Sequence, residues 1–141
     1  MQDRYKFRAI KMETKEVVYI DNFYWFEEEG VCEIDHNNTG SGSFAEYWIN
    51  QCTGKKDKHN KLIYEGDIVR LTAKNKMTFE YVVKYRLSEY RYVLEYANGK
   101  LKGHKARDFS KEYAQVKNLY EGGYEVIGNI YENPELLEDN K

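Results

Sequence analysis

The sequence has little of several residues that mark particular classes of protein. Its 141 residues include one proline, two cysteines and three histidines. A single proline argues against a linker-rich or polyproline protein, and two cysteines outside any CxxC pair are too few for a disulfide framework. No apolar run approaches the roughly 20 residues that span a bilayer, and the first ten residues contain no apolar signal-peptide stretch. These absences predict a cytoplasmic protein with reduced thiols and no membrane partner.

Signatures of metal, cofactor and nucleophile sites are also missing from the sequence. His36, His59 and His104 fall in three separate predicted loops, without the tight spacing of zinc ligands. The glycine-rich segment 39–43 lacks the lysine and the following helix that a phosphate loop requires. We therefore expect no metal, no cofactor, no catalytic residue and no enzymatic activity.

Glu65 and Asp67 flank Gly66 immediately before a predicted strand. Residues two apart in a strand share a face, so paired carboxylates are one interpretation. The other is structural, because glycine allows a kink where a strand starts and the acids can supply loop hydrogen bonds. We favour the structural interpretation, with Gly66 at a bulge or a positive φ angle.

Aromatic residues are abundant, with 14 Tyr, 6 Phe and 2 Trp. Tyrosine favours strands and half-buried sheet surfaces, where the ring packs and the hydroxyl stays hydrated. In residues 5–9, Tyr5, Phe7 and Ala9 alternate with Lys6 and Arg8, which predicts a half-buried strand. Two hairpins are predicted in the first 35 residues, and strands recurring from about residue 67 to 131 predict a small barrel or sandwich.

Four local signals interrupt the strand pattern. Residues 35–43 are rich in Asp, Asn, Gly and Ser and predict a loop. Asn98-Gly99 predicts a tight hairpin turn. Apolar residues at 109, 113, 116 and 120 share one face of a helix predicted over 107–120, with Asp108 or Ser110 as its cap. Asn133-Pro134 predicts the start of a short final helix.

Charge is unevenly distributed along the chain. Residues 1–49 hold 5 basic against 10 acidic side chains, residues 50–118 hold 16 against 8, and residues 119–141 hold 1 against 6. The basic middle either is neutralised within the fold or presents a basic face to an anion. Its densest part is the predicted loop over residues 55–61, where Lys55, Lys56, Lys58 and Lys61 are candidate contacts to a nucleic-acid backbone.

A run of aromatic residues over 23–26 supplies a second candidate binding site. Phe23, Tyr24 and Trp25 occupy successive positions of a predicted strand, so apolar rings lie on both of its faces. A small sheet has one core side, and the other face is then expected to meet another chain or subdomain. This pattern predicts a homo-oligomer.

Three stretches resemble the YopX family of small phage and prophage proteins. They are RYKFRA at residues 4–9, TGKKDK and IYEGDIV between residues 53 and 69, and VIGNIYENPELL at residues 126–137. The resemblance implies a protein of phage or prophage origin in the cytoplasm of a bacterial host. It also implies an SH3-like small barrel in the C-terminal part, and it implies no particular activity.

These observations together predict a mainly β protein with one or two short helices. Residues 1–50 are expected to form a β-hairpin subdomain, and residues 51–141 an SH3-like barrel with a C-terminal strand and short helix. The function that we favour is a non-enzymatic protein-interaction or assembly module with an unknown protein partner. The alternative is a nucleic-acid-binding small β-barrel.

Overall fold

A computed structural model describes residues 6–26, 31–36, 40–43, 46–99, 101–103, 105–109, 111–113, 116 and 120–138, with the side chains of 21–26, 31–36, 40–43, 105 and 106 left undescribed. These residues form eleven strands: β1 (Phe7–Lys11), β2 (Val17–Phe26), β3 (Val31–His36), β4 (Gly40–Ser43), β5 (Tyr47–Lys56), β6 (Leu62–Tyr64), β7 (Asp67–Thr72), β8 (Thr78–Arg86), β9 (Arg91–Tyr96), β10 (Lys105–Asp108) and β11 (Glu125–Asn129). Two 3-10 helices cover Leu87–Glu89 and Pro134–Leu137. Residues 109, 111–113 and 116 are α-helical.

The strands form two antiparallel sheets, and the predicted mainly β class is confirmed. The first sheet has six strands in the order β4-β3-β2-β1-β5-β6, and the second has five in the order β10-β9-β8-β7-β11. In the second sheet β7 to β10 are consecutive neighbours and β11 returns beside β7. That order is the one an SH3-like barrel has, although in the described part of the chain β10 and β11 are edges and the barrel is not closed.

The main hydrophobic core lies on one face of the five-stranded sheet. It contains nine buried side chains: Ile63, Val69, Leu71, Tyr81, Val83, Leu94, Phe109, Val116 and Tyr124. Tyr113 and Tyr120 pack against the cluster, so the predicted apolar face of the 107–120 segment is confirmed.

Asp108 caps the helix that begins after β10, as predicted, since its Oδ1 accepts a hydrogen bond of 3.1 Å from the backbone N–H of Lys111. The helix begins later than predicted, because Arg107 and Asp108 belong to β10.

The opposite face of the five-stranded sheet is covered by the end of the chain. Ile68, Val82 and Ala97 are buried there, and Ile127, Ile130, Leu136 and Leu137 pack against them. A sheet buried on both faces has near-continuous apolar strands instead of alternating ones. Strand β7, with Ile68 and Val69 both fully buried, has this character.

The alternation expected for β1 is wrong, because both faces of this strand are covered. Ala9 packs with Val18 and Tyr47 on one face. Arg8 and Ile10 on the other face are also buried. The register pairs Arg8 with Tyr19 and Asn50 across the neighbouring strands. An arginine is tolerated inside because Asp67 of the second sheet is its charged partner and Asn50 of β5 is a polar partner.

Two predicted turns differ from the observed structure. Gly40–Ser43 forms strand β4 paired with β3, so the predicted loop over 35–43 is wrong at both ends. The predicted two-residue turn at Asn98-Gly99 is also wrong, since β10 begins only at Lys105 and, of these two residues, only Gly99 has a positive φ. The Asn98 amide instead donates to Glu80 Oε1 at 3.0 Å and to the Leu136 carbonyl at 3.1 Å. Tertiary contacts have displaced the local turn preference.

Strand β5 connects the two halves of the sequence. It runs from Tyr47 to Lys56 and pairs with β1 and β6, crossing the predicted boundary at residue 50. The division into residues 1–50 and 51–141 stays a prediction. Within the described residues, no helix is long and apolar enough to cross a membrane.

Candidate functional site

Arg8 and Asp67 form a buried ion pair where the two sheets meet. Arg8 Nη1 lies 2.7 Å from Asp67 Oδ1, and the two side chains are 5% and 1% exposed. Arg8 Nε also donates to Asn50 Oδ1 at 3.1 Å, and its Nη2 donates to the Glu65 carbonyl at 3.3 Å. Asp67 Oδ2 accepts from the backbone N–H of Tyr64 at 2.8 Å. Charge-assisted hydrogen bonds of this kind fix relative geometry as well as adding stability.

Asn50 and Tyr131 extend this contact toward the end of the chain. The Asn50 amide donates to the Tyr131 hydroxyl at 2.9 Å. The Tyr131 ring stacks on Trp48, with ring centroids 4.7 Å apart. We call Arg8, Asn50, Asp67 and Tyr131 the sheet junction, because they join β1 and β5 of the first sheet to β7 and the segment after β11.

Gly66 occupies the turn beside the sheet junction, and the structural interpretation of its motif is supported by its geometry. Its φ is +90°, so the predicted positive φ is confirmed. Its N–H donates to the Val83 carbonyl at 2.8 Å, and its carbonyl accepts from Ile130 N at 2.9 Å. A Cβ at this position would lie 3.2 Å from Tyr131 Cε2. The glycine therefore allows both the backbone turn and the approach of Tyr131.

The motif at residues 126–137 also has a structural explanation. Asn129 is buried, and its Oδ1 accepts from the N–H groups of Tyr131 at 3.0 Å and Glu132 at 2.8 Å. Asn133 Oδ1 accepts from Asn129 N at 3.1 Å, so this side chain does not cap the following helix as predicted. A Cβ on Gly128 would lie 2.3 Å from Asn133 Oδ1, which explains the glycine.

Asp57 organises the basic segment over residues 55–61. Its Oδ1 accepts from His59 N and Lys61 N, both at 2.9 Å, and its Oδ2 accepts from Val126 N at 3.0 Å. Asn60 has a φ of +68°, a left-handed turn conformation that asparagine tolerates. The buried carboxylate thus holds the 57–61 turn against β11.

A cavity of about 260 Å³ opens beside the sheet junction. Its lining includes the buried Arg8 and Asp67, the exposed Lys61 and Glu132, and the aliphatic Val17 and Val126. Burial raises the pKa of Asp67, and the Arg8 guanidinium opposes that shift. Burial also raises the pKa of the Tyr64 hydroxyl above its ordinary value, while the Tyr64 ring lies 4.9 Å from the Arg8 guanidinium carbon.

The structure gives three of the four candidate lysines different neighbours. Lys55 and Lys56 lie in β5, not in the predicted loop, and Lys55 Nζ lies 5.3 Å from the centre of the Tyr113 ring. Lys58 Nζ lies 4.0 Å from Glu125 Oε1. Lys61 lines the cavity. The role of all four lysines in binding stays a prediction.

All four arginines of the basic middle are paired with acids of the same segment. Ion pairs join Arg70 to Glu80, Arg86 to Glu89 and Glu95, Arg91 to Glu89 and Asp108, and Arg107 to Glu112. The acidic end contributes Glu121 to Lys76 and Glu125 to Lys58. The pairs within the segment leave its excess of positive charge unchanged, and the acidic end offsets that excess at Lys58 and Lys76.

An exposed apolar group lies at the end of the β8–β9 hairpin. Leu87 and Tyr90 are 72% and 80% exposed, and Tyr85 is 41% exposed. Tyr85 packs edge-on against Tyr92, with ring centroids 5.1 Å apart. We call Tyr85, Leu87 and Tyr90 the hairpin end. The sequence analysis did not identify it, since exposure of one tyrosine among 14 has no sequence signal.

The backbone of the hairpin end is held in an unusual conformation. Tyr90 has φ +52° and ψ +42°, the left-handed region, which is uncommon for a bulky residue. Its N–H donates to the Leu87 carbonyl at 3.3 Å. Arg86 Nε lies 3.1 Å from Glu89 Oε2, and Arg91 also pairs with Glu89. These ion pairs fix the turn that presents Leu87 and Tyr90.

The aromatic candidates Phe23, Tyr24 and Trp25 lie in β2, opposite Ile34, Glu33 and Cys32 of β3. Their side chains lie outside the described residues, so the predicted apolar character of both strand faces stays a prediction. Arg8, Asp57 and Tyr131 were missed as site residues. The resembling stretches contain all three, but their pairing across the fold is not visible in the sequence.

Comparisons with known proteins agree with this architecture. Residues 6–138 match the family model described as YopX protein. The crystal structure of protein EF1440 from Enterococcus faecalis is 27% identical, covers 94% of this chain and 97% of its own, and has a TM-score of 0.55. The X-ray structure of protein yopX from Bacillus subtilis is 18% identical, with coverages of 94% and 98% and a TM-score of 0.53, and shows likeness of fold. No curated protein matches the chain.

Proposed function

Because this chain belongs to the YopX family, and because Tyr90, the most exposed aromatic side chain among the described residues, sits on a constrained turn, we propose that it is a non-enzymatic protein-interaction and assembly module. The first partner that we propose is a second copy of the chain. The hairpin end is the contact surface. The observation that carries the proposal is Tyr90, 80% exposed on a left-handed backbone.

The backbone conformation of Tyr90 is the first argument. A bulky residue in the left-handed region destabilises the fold by about 1–3 kcal/mol, and such residues concentrate at functional sites. Glycine or asparagine would fit the same turn without this strain. The backbone conformation therefore does not explain why this residue is a tyrosine. A contact between its exposed ring and a partner does.

The surroundings of the hairpin end are the second argument. Tyrosine and arginine are enriched among the residues that dominate binding energy in interfaces. Here Leu87 and Tyr90 lie between Arg86 and Arg91 in the sequence, and the ion pairs of these two arginines with Glu89 already hold the turn. A surface that is ordered before binding loses less conformational entropy when the complex forms.

The nucleic-acid-binding alternative has less support. Single-strand binders combine stacking aromatics with a continuous basic groove. In the described residues Arg70, Arg86, Arg91 and Arg107 are ion-paired, and Lys58 lies 4.0 Å from Glu125. We also propose, from the family resemblance, that the protein is of phage or prophage origin and acts in the cytoplasm of a bacterial host.

Sedimentation velocity across a concentration series up to tens of micromolar tests the proposal. We expect the wild-type protein to self-associate, and Tyr90→Gly and Leu87→Ser to shift it to monomer. Tyr90→Gly is informative because glycine relieves the backbone strain, so its melting temperature should be unchanged or higher. Leu101→Ser is the matched control, because Leu101 is 52% exposed on another loop.

Two results would contradict the proposal. One is a wild-type protein that stays monomeric over the whole series. The other is an association that Leu101→Ser weakens as much as Tyr90→Gly does, since the contact would then not be specific to the hairpin end.

A further inference from the structure

We propose that the cavity beside the sheet junction binds a small zwitterion of the free amino acid class. Its exposed rim carries Lys61 on the 57–61 turn and Glu132 on the segment after β11. The two side chains have opposite charge and line the same cavity. Among the described residues, neither makes an ion pair with the other or with a third group. This inference does not depend on the hairpin end.

The contrast with neighbouring charges makes the rim unusual. Lys58, three residues before Lys61, pairs with Glu125, and Arg8 inside the cavity pairs with Asp67. In this protein, charges that lie close together in the described residues are generally paired. A lysine and a glutamate that line one cavity can instead pair with the two ends of one ligand.

Both rim residues are positioned by buried polar side chains. Asp57 Oδ1 accepts from the backbone N–H of Lys61 at 2.9 Å. Asn129 Oδ1 accepts from the backbone N–H of Glu132, and its Nδ2 donates to Glu132 Oε1, both at 2.8 Å. Asp57 therefore positions the backbone at Lys61, and Asn129 positions both the backbone and the carboxylate of Glu132. A preformed site loses little entropy on binding.

The buried ion pair also lines the cavity. Asp67 Oδ1 lies 2.7 Å from Arg8 Nη1, so the two charges of this pair compensate each other. Val17 and Val126 supply aliphatic walls for a short side chain.

Size and charge restrict the ligand further. A volume of about 260 Å³ lies below the range of roughly 300–1,000 Å³ that drug-sized ligands occupy, which favours a small metabolite. The four charged lining groups, Arg8, Lys61, Asp67 and Glu132, sum to zero. A simple anion meets Glu132 and a simple cation meets Lys61, so each is opposed by one like charge. A zwitterion satisfies both.

Amide chemical-shift titration of the isotopically labelled protein tests the inference with three probes. L-serine carries an ammonium, a carboxylate and a hydroxyl, whereas acetate and ethylamine each carry one charge. We expect serine to shift the amides of Gly128, Asn129 and Lys61 in a saturable manner. Acetate and ethylamine should produce no saturable shift at the same concentrations.

Two variants with matched controls locate the site. Lys61→Ala and Glu132→Gln should each weaken serine binding about fivefold, the upper range for one exposed charge contact. Lys55→Ala and Glu138→Gln remove exposed charges that do not line the cavity, and serine affinity should stay unchanged. All four variants should retain the wild-type amide spectrum away from the substitution.

The inference is overturned if serine gives no saturable shift with the wild-type protein. It is also overturned if acetate or ethylamine binds as tightly as serine, because the site would then recognise a single charge. Equal losses in Lys61→Ala and Lys55→Ala would place the binding outside the cavity and would contradict the inference as well.

Discussion

The five-stranded sheet and the sheet junction are stabilised by different interactions. The sheet is apolar on both faces, with Leu71, Leu94 and Phe109 fully buried on one of them. The junction, only one residue along the chain from the apolar Ile68, consists of an ion pair and amide and hydroxyl hydrogen bonds. Asp67 and Ile68 are equally inaccessible to solvent, yet one needs a specific partner and the other does not.

This difference between apolar and polar contacts explains how two small sheets acquire a defined relative position. Apolar burial is non-directional and stabilises many packings to a similar extent. A buried charge is tolerated only where its partners are correctly placed, so Arg8 and Asp67 are compatible with one arrangement of β1 against β7. The stability comes mainly from the core, and the orientation of the sheets comes from the junction.

Alkaline pH should have the largest effect, because it acts on both regions at once. Burial raises the pKa of Tyr81 to about 12 and that of Tyr92 to about 12, from 10.0, and it also raises the pKa values of Tyr64 at the junction and Tyr124 in the core. The neutral forms are favoured in the folded state. Their contribution is therefore complete below pH 10 and is lost as the pH rises through about 12.

Tyrosinate absorbance and near-ultraviolet circular dichroism, followed together, check this expectation. Ionisation of the buried tyrosines should coincide with loss of tertiary structure. Tyr92→Phe removes one of these groups and should move the transition to higher pH. Complete ionisation with an intact dichroism spectrum would show that the tyrosines are accessible in the folded state.

Asp67→Ala should be the most damaging single substitution at the junction. It leaves the Arg8 guanidinium buried without its carboxylate, which destabilises a protein by roughly 3–5 kcal/mol. Denaturant unfolding measures the change in free energy. The double variant Arg8→Met with Asp67→Leu removes both charges and should be less destabilised than Asp67→Ala. If the double variant is instead the less stable of the two, the Arg8–Asp67 ion pair itself stabilises the fold, and the loss in Asp67→Ala is not due only to an unpaired buried charge.

Leu94→Ala probes the apolar core of the five-stranded sheet. Leu94 is fully buried in the main cluster, and a truncation of this kind destabilises by roughly 2–5 kcal/mol. The same denaturant experiment applies. In contrast to Asp67→Ala, it should leave the contact between the sheets intact, so amide shifts around Arg8 and Tyr131 should stay close to wild type below the transition. Large shifts there would show that core and junction are not separable.

Gly66→Val should have a smaller effect, about 1–3 kcal/mol, from backbone strain at φ +90°. Its new Cβ also approaches Tyr131 Cε2 at 3.2 Å. Gly99→Val is the matched control, because Gly99 has φ +79° and nothing within 4 Å of its Cβ position. The difference between the two melting temperatures isolates the contact with Tyr131. Equal decreases in melting temperature would mean that backbone strain alone accounts for the destabilisation by Gly66→Val.

Changing Lys55, Lys56, Lys58 and Lys61 to Glu should have the smallest effect on stability, within about 1 kcal/mol, because exposed ion pairs contribute little. The same variant tests the nucleic-acid alternative. If the wild-type protein retains oligonucleotides at low salt with a steep salt dependence, the variant should lose that retention. An absence of retention by the wild-type protein at low salt would exclude the alternative.

Particular residues show how far the sequence could lead. The apolar spacing of residues 109, 113, 116 and 120 identified a face that does pack on the core, and Asp108 is its cap. The positive φ angle of Gly66 followed from local chemistry. Arg8 was misplaced because a period of two reports one buried face, whereas β1 is covered on both. Asn98-Gly99 was mispredicted because Glu80 and Leu136, distant in sequence, bind the Asn98 amide.

The sequence by itself determined the mainly β class, the helical face and the turn at Gly66, because each depends on residues within a few positions of one another. It also determined the family, through stretches at both ends of the chain. The tertiary structure alone shows that Arg8 meets Asp67 and that Lys61 and Glu132 line one cavity. These contacts join residues more than 50 positions apart, and local patterns carry no information about which distant partner a charge will have.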